Sequence, residues 1–154
     1  MQILLFKLNG AEYGVLLKDV EFISEKKNVV KMSNALKSVN GIVMLRGEAM
    51  PVYSLASCFG FVEQENRYLL VVKAVDIKIA LEVSEIERVI WTENEAVIPL
   101  PAMIRATQPC FREALVYGKK LIGLLDINEL VPQQDRKNLC LAIAGSQCSD
   151  FRLF

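Results

Sequence analysis

Apolar residues recur at every second position along most of this chain, a period that suits antiparallel β-sheet and little else. In Ile77-Lys78-Ile79-Ala80-Leu81-Glu82-Val83 the odd positions are all aliphatic and the even ones mixed. Leu4, Phe6 and Leu8 alternate in the same way. Asn9-Gly10 then supplies the residues that a tight hairpin turn wants, and Tyr13, Val15 and Leu17 resume the alternation. Tyr68 to Val75 reads as a nearly continuous apolar strand that turns near Asp76 into Ile77–Val83. Ala114 to Val116, a Tyr117-Gly118-Lys119 turn and Leu121 to Leu125 make a further hairpin. Between these lies Gly41 to Leu55: an apolar strand, a charged Arg46-Gly47-Glu48 corner, and a second strand ending near a short helix.

The hairpins fall into two similar halves separated by the polar stretch Glu63-Gln64-Glu65-Asn66. Each half has two hairpins and a short closing segment, Ser54–Phe59 in the first and Asp126–Leu130 in the second. The pattern favours two small antiparallel β units, each too small to be stable alone, packed on one shared core. Helical signals are few. Lys18–Ser24 is expected as a short helix carrying Val20 and Ile23 on one side, and Ser33–Val39 as another short turn. Ile98-Pro99-Leu100-Pro101 is expected as an extended loop, because proline suits neither a central strand nor a helix interior. Residues 132–154 open polar and then show Leu139-Cys140-Leu141-Ala142-Ile143-Ala144, compatible with a strand, a packed helix or a frayed tail.

Composition removes whole classes of function. Lysine plus arginine total 18, as do aspartate plus glutamate, so net charge gives no reason to expect nucleic acid or anionic lipid. The chain has no histidine, hence no imidazole general base and none of the commonest metal ligand. Its cysteines, Cys58, Cys110, Cys140 and Cys148, lack C-x-x-C spacing and read as reduced thiols of a cytosolic protein, with a Cys140–Cys148 disulfide only conceivable. Glu63 and Glu65, or Glu82, Glu85 and Glu87, read as solvated strand or loop faces rather than paired catalytic carboxylates. No phosphate-binding loop of the G-x-x-x-x-G-K-[ST] kind occurs. Neither metal nor cofactor is expected. The N-terminus lacks a secretory pattern, and no apolar run approaches the roughly 18–20 residues that span a bilayer, so a soluble cytoplasmic protein is expected.

Arg46 stands between two apolar runs, where it serves no obvious core purpose and needs a carboxylate either at home or on another protein. The block around it resembles that of the CheW family of bacterial chemotaxis coupling proteins, whose usual form is Gly-Val-x-Asn-Leu-Arg-Gly-x-x-x-Pro-Val-x-Asp-Leu. Gly41, Leu45, Arg46, Gly47, Pro51, Val52 and Leu55 match it. Phe6-Lys7-Leu8 with Tyr13-Gly14-Val15 resembles the family's first hairpin. Leu81, Val83, Ile86, Val89 and Ile90 resemble its middle strand pair, and Leu121-Ile122-Gly123-Leu124-Leu125-Asp126-Ile127 with Leu130 its closing strand and helix. The resemblance covers about residues 2 to 131, in order and register. Departures are Met44 for the usual Asn, Ser54 for Asp or Asn, Ser84 for Asp, Ala80 and Glu113 for frequent glycines, and Phe22 where many members carry Glu.

The resemblance implies a mainly β fold: two five-stranded β-barrel subdomains, SH3-like or OB-like, around one hydrophobic core. The domain would span 1–131, with the first barrel mainly 10–65, the second mainly 66–131 plus the N-terminal strand, and 132–154 as an extension. It also implies a non-catalytic adaptor linking chemoreceptor cytoplasmic tips to a CheA-type histidine kinase in a membrane-associated array. The first barrel would meet the kinase's regulatory domain, and the groove between barrels the receptor's helical tip. The residues expected to contact partners are Val20, Ile23, Gly41, Met44, Arg46, Gly47 and Glu48, although Gly41 and Gly47 are most simply turn or bulge glycines. With Phe22 in place of the family's acid, Arg46 is left with Glu21 or Glu48 as its nearest carboxylates by sequence. The rival reading is an oligonucleotide-binding β-barrel, which neutral charge and sparse aromatics disfavour; an enzyme ranks third.

Overall fold

The computed structural model describes residues 1–31, 39–60, 62, 65–74, 77–93, 96–107 and 110–130. Strands β1 (Gln2–Leu8) and β2 (Ala11–Leu16) lead through a 3-10 turn (Leu17–Asp19) to β3 (Val20–Glu25), β4 (Val39–Leu45), β5 (Glu48–Ser54) and helix α1 (Leu55–Phe59). Then come β6 (Tyr68–Ala74), β7 (Ile77–Val83), β8 (Glu85–Trp91), β9 (Val97–Pro99), helix α2 (Ala102–Thr107), β10 (Phe111–Tyr117), β11 (Lys120–Leu125) and helix α3 (Ile127–Leu130). The strands form a six-stranded sheet in the order β8-β1-β2-β11-β10-β9 and a five-stranded sheet in the order β3-β6-β7-β5-β4. The pairs β2–β11 and β5–β7 are parallel and the others antiparallel.

Each sheet curls around a core of its own. Phe22, Val43, Leu45, Met50, Val52, Leu69, Val71 and Ala80 pack together, so all five strands of the smaller sheet send side chains into one cluster. Ile3, Leu5, Leu16, Ile90, Val97, Leu115, Ile122 and Leu124 do the same for all six strands of the larger sheet. The opposite faces meet in a third and largest core. Phe6 and Val15 from one sheet pack there with Leu70, Val72, Ile79 and Leu81 from the other, sealed by Leu55 and Phe59 of α1 and by Ile127 and Leu130 of α3.

This arrangement explains the unbroken run Leu69-Leu70-Val71-Val72, every member of which is fully buried. Successive strand residues point to opposite faces; here Leu69 and Val71 fill the small barrel while Leu70 and Val72 fill the shared core. Burial of each such side chain stabilises the fold by about 1.5–3 kcal/mol. The same geometry corrects the reading of Glu82 as solvated. It lies on the inner face of β7, only 1% exposed, because a curled sheet has no open face.

Other expectations are corrected as well. Lys18–Ser24 is not a helix: after the 3-10 turn, β3 pairs with β6, as its β-branched and aromatic residues favour. A bulge sets Val20 opposite Val72 and Ile23 opposite Leu70, so the two residues share a face although three apart. Val97–Pro99 is an edge strand on β10 rather than a loop; proline's missing N–H is tolerated at an edge. That edge strand makes the larger sheet six-stranded instead of five. The sheets are also interleaved along the chain. β2 belongs with β8 to β11, while β6 and β7 belong with β3 to β5, so a division at residues 65/66 does not separate them. Of the expected Ser33–Val39 turn, Val39 opens β4 and residues 33–38 lie outside the described residues, as do Glu63, Asp76 and residues 132–154 with Cys140 and Cys148. No helix among the described residues is long and apolar enough to cross a membrane.

Candidate functional site

The smaller sheet ends at β3 on one side and β4 on the other, and curling brings these two edges together. Three devices span the seam. In the middle, Val30 and Ile42 exchange two backbone hydrogen bonds, each 2.8 Å long, so the chain leaving β3 covers the edge of β4. Gly41 makes this possible: a Cβ there would sit 2.2 Å from the Val30 carbonyl oxygen. Toward one end of the barrel, the buried Glu82 carboxylate of β7 faces Lys26 Nζ at 2.7 Å and accepts a hydrogen bond of 2.6 Å from Asn40 Nδ2 of β4. Lys26 remains a third exposed, which lets the pair share its charge with solvent.

The third device is the candidate site. Leu45 pairs with Glu48, leaving Arg46 and Gly47 as a two-residue hairpin loop. Their φ angles are 51° and 78°, both positive as a type I′ turn requires. Glycine adopts this freely; for arginine the left-handed region costs roughly 1 kcal/mol. From this position the Arg46 guanidinium reaches across the seam and lies over the Phe22 ring of β3, 3.9 Å from its centroid. A cation over a ring at an exposed site contributes about 0.5–1 kcal/mol. The expected carboxylate partners are corrected accordingly. Glu48 pairs with Lys78 of β7 at 3.3 Å, and among the described residues Arg46 forms no ion pair.

The structure therefore gathers Met44, Arg46, Gly47 and Glu48, all exposed, on one hairpin tip. Ile23 (42% exposed) and Met44 (44% exposed) both point away from the barrel interior on the edge strands β3 and β4. Gly41 stands apart, within the seam, and Val20 is half-buried against the shared core. Sequence reasoning did not find Phe22 and Lys78 as the partners of the corner. The one available signal was the aromatic residue standing where the resemblance expects an acid.

Beyond the hairpin, a surface groove of about 470 Å³ is lined by Met1, Gln2, Leu16, Leu17 and Lys18. It lies where β2 of the large sheet hands the chain over to β3 of the small one. Among the described residues, no group of three or more His, Cys, Asp or Glu side chains is placed to hold a metal ion.

The family model of the CheW-like domain matches residues 2–135. This chain belongs to the CheW-like family. It is 26% identical over 97 residues to a chemotaxis protein CheW of Thermotoga maritima, a match covering 61% of this chain and 64% of that relative. It is 23% identical over 138 residues to a chemotaxis protein CheW of Klebsiella aerogenes, covering 87% and 83% of the two chains. The crystal structure of the scaffolding protein TtCheW from Thermoanaerobacter tengcongensis superposes with a TM-score of 0.78 at 22% identity, covering 85% of this chain and 92% of that one. That likeness bears out the CheW fold.

Proposed function

We propose that this protein is a non-catalytic chemotaxis adaptor that holds a chemoreceptor's cytoplasmic tip and the regulatory domain of a CheA-type histidine kinase in fixed relative geometry. The observation that carries this reading is Arg46, exposed at a hairpin tip in a backbone conformation that disfavours it. Stacking on Phe22 occupies the flat face of the guanidinium and leaves its in-plane N–H donors for a carboxylate on another protein. Removing one partner of such a pair costs about 2–5 kcal/mol where the interface buries it.

Glu48, Gly47 and Met44 on the same tip, with Ile23 alongside, supply a charged centre and an apolar border for the kinase contact. The groove lined by Leu16 and Leu17 suits the apolar face of a receptor helix. Held this way, the kinase responds to small receptor movements by a shift between conformations, with no reaction in the adaptor itself. The protein would work at the cytoplasmic face of receptor arrays, without entering the membrane and without nucleic acid. Titration of the purified kinase regulatory domain and of a receptor-tip fragment tests this. Saturable binding of each, with the kinase affinity reduced at least tenfold by Arg46→Ala, is expected. Failure to bind either fragment would end the proposal.

A further inference from the structure

Leaving out β9, the two sheets match strand for strand: β3-β6-β7-β5-β4 against β8-β1-β2-β11-β10. One row across the small sheet runs Phe22, Val71, Ala80, Val52, Gly41. The matching row of the large sheet runs Arg88, Leu5, Gly14, Leu124, Glu113. Even the bulges coincide, at Val20/Phe22 with Ile86/Arg88 and at Val39/Gly41 with Phe111/Glu113. Counting from these rows makes Ile23 equivalent to Val89 and Met44 to Val116. Their exposures agree as well, 42% with 43% and 44% with 43%. The apolar border of the proposed kinase contact is thus present twice on one molecule.

What differs is charge. By the same count Glu48 and Lys78 become Lys120 and Glu12, and both pairs close, at 3.3 Å and 2.9 Å. In each pair the hairpin member is the more exposed: Glu48 over Lys78, and Lys120 over Glu12. The first tip therefore shows an outer anion above an inner cation, and the second tip the reverse. The arginine–aromatic pair is exchanged too. Arg46 reaches from its hairpin over Phe22 on the edge strand, whereas Arg88 holds the place of Phe22 and donates to Tyr117 Oη of the other hairpin at 3.3 Å.

We infer that the polarity of the Glu48–Lys78 pair is the specificity determinant by which the kinase regulatory domain docks on the small barrel and rejects the large one. This rests on the kinase contact proposed above and adds to it the charge pattern that the partner must carry. That surface sets a carboxylate toward Arg46 and a cation toward Glu48, beside an apolar patch for Ile23 and Met44. Brought to the large barrel, it meets the same apolar border. Its cation, however, now faces Lys120, and its carboxylate finds Gly118 in place of Arg46. Like charges set against each other across an interface are an effective way to exclude a wrong docking mode. An exposed ion pair contributes little to folding, so its orientation is free to serve recognition.

Calorimetric titration of the kinase regulatory domain into the full chain and three double variants tests this. Glu48→Lys with Lys78→Glu reverses the pair and leaves net charge unchanged. It should melt within about 2 °C of the parent yet bind at least tenfold more weakly, with the difference shrinking at high salt. Glu48→Gln with Lys78→Gln removes the polarity without reversing it, and its affinity should fall between those two. Glu12→Lys with Lys120→Glu reverses the large-barrel pair and should leave kinase affinity as it was. Three results would overturn the inference while parent binding keeps the adaptor reading: unchanged affinity in the first variant, a neutral pair as weak as the reversed one, or an equal loss from the large-barrel reversal. A parent that binds no kinase domain would overturn both.

Discussion

The hairpins β1–β2 and β4–β5 turn in the same way with different residues. At the first, Asn9 and Gly10 have φ of 52° and 81°; at the second, Arg46 and Gly47 have 51° and 78°. Asparagine is among the few residues that enter the left-handed region readily, and Asn9 also ties its turn down by donating from Nδ2 to the Val62 carbonyl at 3.3 Å. Arginine has no such local advantage, and its one intramolecular compensation among the described residues is the Phe22 ring. The first turn is explained by folding alone. The second violates the local rule at an exposed position, the pattern expected where a residue is kept for contact with something else.

Several substitutions sharpen or break that contrast. The largest effect is expected from Gly41→Ala, whose Cβ collides with the Val30 carbonyl. A loss of about 2–3 kcal/mol in denaturant unfolding is anticipated. Hydrogen exchange should show β4 and β5 opening while β1 and β2 stay protected; equal loss in both hairpins would mean the seam is not a local device. Phe22→Leu keeps apolar bulk but removes the ring under Arg46, and should cost about 1–1.5 kcal/mol by the same measurement. Asn9→Arg places the unfavourable residue in the other turn and removes the hydrogen bond that Asn9 donates to Val62. A cost of about 1 kcal/mol is expected, and no change at all would undo the comparison.

The smallest effect concerns the 3-10 turn between the sheets. Burial, the main cause, with a minor contribution from Asp126, pushes the Asp19 carboxyl above its ordinary value. The folded state therefore holds that proton more tightly than the unfolded chain. Its stability cost is absent well below the ordinary aspartate value, develops as pH rises to the raised one, and is complete above it. Asp19→Asn should melt about 1–2 °C higher than the parent at pH 7, with the advantage vanishing at pH 3.

What the sequence made legible was local. Asn9-Gly10, Gly47 and Gly118 each mark a hairpin in the structure, because turn chemistry depends on neighbouring residues only. The family could be read because its blocks are continuous stretches around those turns. What escaped depended on distant partners. Val20 and Ile23 at a spacing of three suggested a helix, since the bulge that gives a strand the same facing cannot be seen without β6. Glu82 looked solvated because alternation assigns faces but does not say that both faces will be covered. Phe22 was visible as an oddity, but its place under Arg46 exists only once β3 and β4 meet across the seam. The interleaving of strands between the sheets was hidden for the same reason: parallel pairing of β2 with β11 and of β5 with β7 joins segments far apart in the chain.

The central claim is that Arg46 is held in its turn for a partner and not for the fold. Isothermal titration of the CheA-type kinase regulatory domain into Arg46→Asn and the parent tests it most directly. Asparagine suits the turn, so the variant should melt within about 2 °C of the parent while its affinity falls at least tenfold, about 1.4 kcal/mol. Equal affinity in a well-folded variant would contradict the account.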